Sequence, residues 1–152
     1  MRLLLVVSIA AAAGLTLSLN TSAADWKQFS KSDEAFHSVD HDSIAPRGKY
    51  MRAWVMVDYF KPKKLTAYPN KEYLSSKALW AFDCVEKTIT SIQDIAYAGD
   101  TGVGEIVEST SVDWEKARFR DVVPDSMGEA VMQIVCKRKP QIKPAAAKAV
   151  PK

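Results

Sequence analysis

The chain has 152 residues, of which 47% are hydrophobic and 26% charged, with a formal net charge of +3. The charge is unevenly placed: residues 25–136 carry 14 Lys/Arg against 18 Asp/Glu, a net of −4, whereas residues 137–152 carry six Lys/Arg and no acid. The basic character therefore belongs to the tail, and a nucleic-acid partner inferred from isoelectric point alone is excluded, because such a footprint lies on a folded face.

Residues 1–24 read as an export signal. Arg2 is followed by an apolar run from Leu3 to Leu19, and Thr21-Ser22-Ala23-Ala24 supplies small residues for cleavage. The run is short for a membrane span, which needs about 20 residues, and no basic stop-transfer residues follow it. The expected organisation is a signal over 1–24, one domain over 25–136 and a disordered basic Pro-rich tail over 137–152. The only cysteines are Cys84 and Cys136. Neither lies at the cleavage site, so no lipid anchor is read. In an exported chain the two most simply form one structural disulfide, and they lie too far apart in sequence for a Cys-x-x-Cys redox pair.

Trp26–Phe29 and Phe36–Asp40 read as short strands. Tyr50–Tyr59 is the clearest strand, with Met51, Ala53, Val55, Val57 and Tyr59 on one face and Arg52, Trp54, Met56 and Asp58 on the other. Lys61-Pro62-Lys63-Lys64 breaks this pattern, and 61–72 is expected to be a solvated connection. Ser75–Cys84 and Thr88–Ala98 read as further strands. Gly99-Asp100-Thr101-Gly102-Val103-Gly104 reads as a reversal before a last strand over Glu105–Ser111. Then the period changes. Ser126 reads as an N-cap with Glu129 completing a capping box. Met127, Ala130, Val131, Ile134 and Val135 form an apolar helical stripe. Cys136 falls off that stripe, so the helix is expected to fray or turn there. About six strands followed by one helix predict an α+β fold, an antiparallel sheet with the C-terminal helix packed on it and fastened by the disulfide.

Several segments are jointly distinctive. Trp54-Val55-Met56-Val57-Asp58-Tyr59 precedes Lys61-Pro62. Tyr73-Leu74-Ser75-Ser76-Lys77-Ala78-Leu79-Trp80-Ala81-Phe82-Asp83-Cys84 precedes the glycine-rich hairpin. Val123-Pro124-Asp125-Ser126-Met127-Gly128-Glu129-Ala130 precedes Cys136. Together, over residues 26–136, they resemble the bacterial surface-adhesin protein E family. The resemblance implies a six-stranded antiparallel sheet, a helix tied to it by Cys84–Cys136, and adhesion to matrix or serum proteins such as vitronectin, laminin and plasminogen, with a capacity to form homodimers. This chain lacks the family namesake's lipidation cysteine and carries a basic tail outside the shared motifs.

Candidate chemistry is sparse. His37 and His41 are the only histidines. Four residues along a strand span about 13 Å, too far for two imidazoles to share an ion held at about 2 Å by each. Asp100-Thr101-Gly102 matches the aspartic-protease tripeptide, but that chemistry needs a pair of carboxylates, and the flanking glycines mark a turn. Gly99, Gly102 and Gly104 lie in no strand–helix crossover and make no dinucleotide fingerprint. No nucleophile–base motif is present. No cofactor, no metal and no catalytic residue are therefore expected. Trp26, Trp54, Trp80 and Trp114 read mostly as core, with Trp54 the best candidate for an exposed aromatic. Lys61, Lys63 and Lys64, with Lys71 nearby, are the only basic cluster of the folded body and the candidate contact for an anionic polymer or acidic protein segment. The sequence thus points to an exported non-enzymatic binding module, in the periplasm or at the cell surface. The alternative is a periplasmic structural or envelope accessory protein without a host ligand.

Overall fold

The computed structural model describes residues 24–137. The expected signal, apart from Ala24, and the tail beyond Lys137 lie outside the described residues. The strands are β1 (Trp26–Lys31), β2 (Ala35–Asp40), β3 (Ala45–Arg47), β4 (Tyr50–Lys64), β5 (Glu72–Asp83), β6 (Thr88–Tyr97), β7 (Ile106–Ser111) and β8 (Arg120–Asp121). One helix, α1 (Met127–Lys137), follows them. All eight strands join one antiparallel sheet in the order β1-β2-β4-β5-β6-β7, with β3 pairing β4 and β8 pairing β6 off that path. The six expected strands are the six of the main path. The two others, three and two residues long, are too short to show a period.

Local side chains set the corners. The Asp40 carboxylate accepts from the N–H groups of Asp42 and Asp25, at 3.0 and 2.9 Å, and so ends β2 in a turn. The Ser43 hydroxyl donates to the Asp40 carbonyl and accepts from the Trp54 N–H, fastening that turn to β4. At the β5–β6 turn Asp83 accepts from the N–H groups of Val85 and Glu86. Its carboxylate also meets Lys49 Nζ at 2.9 Å. That lysine hydrogen bond, with the two N–H groups, holds the Asp83 carboxyl below its usual range.

Register gathers the alternating apolar residues onto one face. Val39 pairs with Val55, Ala53 with Trp80, and Met51 with Phe82. Against this face α1 buries Val131, Met132 and Val135, and Val39, Ala53, Val131, Val135 and Phe82 are all fully buried. Each such large aliphatic or aromatic side chain contributes roughly 1.5–3 kcal/mol by leaving water. The capping box forms with a shift of one residue. Ser126 Oγ accepts from the Glu129 N–H at 3.3 Å, while the Glu129 carboxylate reaches back to the Asp125 N–H at 2.8 Å.

Two expectations need correction. Residues 61–72 are not one solvated connection: β4 continues through Pro62 to Lys64, and Lys63 and Lys64 pair with Tyr73 and Glu72. Pro62 is tolerated because the β4–β5 ladder is irregular between Asp58 and Lys63, so no ladder bond is asked of it. Nor does the helix fray at Cys136. It runs to Lys137, because Met132, one turn earlier on the same side as Cys136, is also buried and widens the apolar stripe. Cys84 and Cys136 are joined, with Cα atoms 5.7 Å apart.

Candidate functional site

The face of the sheet away from α1 is closed at one end by the 99–104 loop. Asp58 and Ser75 are cross-strand partners, as are Met56 and Lys77, so Asp58, Ser75 and Lys77 share this face. All three hold the loop. Ser75 Oγ donates to the Gly99 carbonyl at 2.6 Å and accepts from the Gly102 N–H at 2.9 Å. Lys77 Nζ donates to the Gly102 carbonyl at 3.1 Å, and Asp58 accepts from the Thr101 N–H. Burial raises the Asp58 carboxyl above its usual range, and the Thr101 N–H opposes that rise. Asp100-Thr101-Gly102 is therefore an anchored turn.

Beyond this loop, the projecting end of the β4–β5 ribbon is different in character. It projects lysines interleaved with aromatic rings on both faces. Phe36 and Phe60 meet edge to face at 4.9 Å, with Lys31 Nζ 5.5 and 5.8 Å from their centroids. On the other face Tyr59 meets Tyr73 at 5.6 Å, and Lys63 Nζ lies 5.5 Å from the Tyr59 ring. In the connecting loop Lys71 lies 5.5 Å from the Tyr68 ring, and buried Leu65 closes the loop by donating its N–H to the Lys71 carbonyl. Phe60 and Tyr68 are 44% and 54% exposed, large values for aromatic residues. Lysines 31, 61, 63, 64 and 71 outnumber the neighbouring acids Asp33, Glu34 and Glu72. This end is thus positive in a folded body that is negative overall.

Of the residues singled out from sequence, Lys61, Lys63 and Lys64 come together here. Lys63 is committed to Glu34, at 2.9 Å, while Lys61 and Lys64 are exposed. Trp54 does not join them. It is half-buried and seven residues back along β4, about 23 Å at strand rise. Lys31, Phe36, Phe60, Tyr68 and Tyr73 join them in the structure. Tyr59-Phe60-Lys61-Pro62-Lys63-Lys64 carries a readable cation–aromatic signal, but Lys31 and Phe36 arrive from β1 and β2 and become neighbours only through register.

The sheet also has two open edges. β1 carries Lys27 and Lys31 and an irregularity between Gln28 and Ser30, devices that discourage strand addition. β7 has no lysine and only Glu108 as a charge.

The histidines stay apart in role. His37 is half-buried, with its basicity lowered by that burial. Among the described residues no group of three His, Cys, Asp or Glu side chains is placed to hold a metal.

These features define an α+β domain that presents a cation–aromatic ribbon end on a single sheet stapled to its helix. The chain belongs to the surface-adhesin protein E family, whose family model matches residues 26–137. The sheet-plus-helix fold is that of Haemophilus influenzae protein E. One crystal form of that protein is 16% identical, with a TM-score of 0.56 over 76% of this chain and 89% of that one. A second structure gives 0.54 at 16% identity, over 76% and 86%. Protein E from non-typeable Haemophilus influenzae gives 0.53 at 16% identity, over 78% and 79%. At this identity the likeness establishes fold. No curated protein matches the chain.

Proposed function

We propose that the protein is an exported, non-enzymatic adhesin that meets an extracellular-matrix or serum protein through an acidic stretch, using the β4–β5 ribbon end. The observation that carries this reading is that exposed Phe60 and Tyr68, which meet Lys31 and Lys71, stand at the same ribbon end as exposed Lys61 and Lys64. Aromatic rings supply contact area at small conformational cost, and lysines supply long-range attraction and orientation. A heparin-like glycan offers the same anionic chemistry and serves as a defined probe.

The test is the affinity of Lys61→Glu/Lys64→Glu/Lys71→Glu for that glycan and for immobilised matrix proteins. The expected loss is tenfold or more, about 1.4 kcal/mol. Wild-type binding is also expected to weaken as salt shortens the Debye length. Equal affinity of variant and wild type for every probe would remove the ribbon end as the contact.

The second reading, a periplasmic structural or envelope accessory protein, is favoured by one observation. Cys84 and Cys136 are both engaged in the disulfide within the domain, which supports a protein held by no lipid anchor. Exposure on intact cells separates the two readings.

A further inference from the structure

Far from the ribbon end, a cavity of about 700 Å³ opens between β6, the 112–123 segment and the start of α1. That volume lies in the range of pockets for drug-sized ligands. Its apolar lining includes Trp80, Ile89, Val112 and Val122, and Val123 stands 67% exposed at its margin.

The 112–121 segment is fixed by two ring contacts with residues 47–50. The Arg47 guanidinium lies 4.2 Å from the Trp114 ring, and Phe119 stacks on Tyr50 at 4.5 Å and 16°. In extended chain, side chains alternate in direction. With Phe119 committed to Tyr50, Arg118 and Arg120 are sent the other way, and both line the cavity. Neither is engaged in an ion pair among the described residues. The other charges there are partly spoken for. Lys116 pairs with Asp113 at 3.0 Å, and Asp94 accepts from Ser91 Oγ at 2.7 Å. Asp121 also lines the cavity. The lining thus carries two guanidinium groups without an ion-pair partner among the described residues, Arg118 and Arg120, alongside the carboxylates of Asp94 and Asp121.

We propose that this cavity binds a monomeric anionic amphiphile: an aliphatic or aryl body carrying a carboxylate, phosphate or sulfate. The body would cover Trp80, Ile89 and Val122, whose exposure to water is otherwise unfavourable. The head group would meet Arg118 and Arg120, whose planar donors match an oxyanion in forked geometry. The site is independent of the ribbon end and of the adhesin reading.

The test is titration of the mature chain with decyl phosphate below its micelle concentration, followed by calorimetry and amide chemical shifts, with 1-decanol as the uncharged control. The expected result is saturable one-to-one binding, with shifts at Thr90, Ser91, Val112, Val122 and Val123. Decanol is expected to bind at least tenfold more weakly. Arg118→Ala/Arg120→Ala is expected to lose at least tenfold in affinity for decyl phosphate while keeping the wild-type melting temperature, since both side chains are exposed. Arg118→Gln is expected to fall between. Non-saturable binding, equal affinity for decanol, full affinity in the double variant, or binding confined to intact phosphatidylglycerol vesicles would each overturn the proposal.

Discussion

Replacing Cys84 and Cys136 together with Ala is expected to cost about 4 kcal/mol of stability while leaving strand content unchanged. The cross-link spans 52 positions. In the chain-entropy model, closing a loop of that length removes roughly 4 kcal/mol of freedom from the unfolded chain. The sheet does not depend on that closure. Its ladders run from β1 to β7 without reference to the helix, and α1 still has Val131, Met132 and Val135 to bury. The loss therefore appears as a fall in melting temperature, roughly 15 °C for a domain of this size, with a far-ultraviolet strand signal like that of wild type. Reducing agent added to wild type is expected to give the same shift. Equal melting temperatures with the disulfide intact and broken would show that the staple constrains nothing the fold does not already fix.

Ser75→Ala is expected to be the most damaging change of a single atom on the opposite face. Ser75 is fully buried, and its hydroxyl serves both the Gly99 carbonyl and the Gly102 N–H. Alanine leaves one donor and one acceptor without a partner, at roughly 1–3 kcal/mol each. The total is about 3 kcal/mol, or roughly 10 °C in melting temperature. Gly102→Ala attacks the same anchor from the loop side. Gly102 has φ of +70°, and a Cβ there would lie 2.0 Å from Lys77 Cε. Lys77 would have to leave the Gly102 carbonyl to make room. Both variants are expected to raise hydrogen exchange over residues 99–104 while amides in the centre of β4 and β5 stay protected. A melting temperature within about 2 °C of wild type for Ser75→Ala would show that the loop is not fastened by this hydroxyl.

The residues that carry a strict period are those whose structure was legible in the sequence. Met51, Ala53 and Val55 alternate and face α1 as their spacing predicts, and Val131 and Val135 recur at helical spacing and are buried. Elsewhere a neighbour, not a pattern, decides. Pro62 reads as a break, yet an irregular stretch of ladder admits it, and β4 gains five residues beyond Tyr59. Cys136 reads as off the stripe of Met127, Ala130, Val131, Ile134 and Val135, and buried Met132 widens that stripe to reach it. β3 and β8 have three and two residues and exist only as partners of β4 and β6. The ribbon end divides in the same way. Lys61, Lys63 and Lys64 fall within four consecutive residues and are visible there. Lys31, Phe36 and Tyr73 come from three other strands, and only the register of β1, β2 and β5 brings them alongside. The cavity near Arg118 and Arg120 had no sequence signal, because its shape depends on Phe119 finding Tyr50 across a long span of chain.

An adhesin must stand where an outside partner can reach the ribbon end, and treatment of intact cells with protease tests that most directly. Cells making the native protein are exposed to added protease, then fractionated and probed for the 26–137 domain. The expected result is that the domain is lost or shortened on intact cells while a periplasmic marker survives. A domain that stays whole on intact cells and leaves with the periplasmic contents would contradict it, and would leave the fold standing without adhesion as its function.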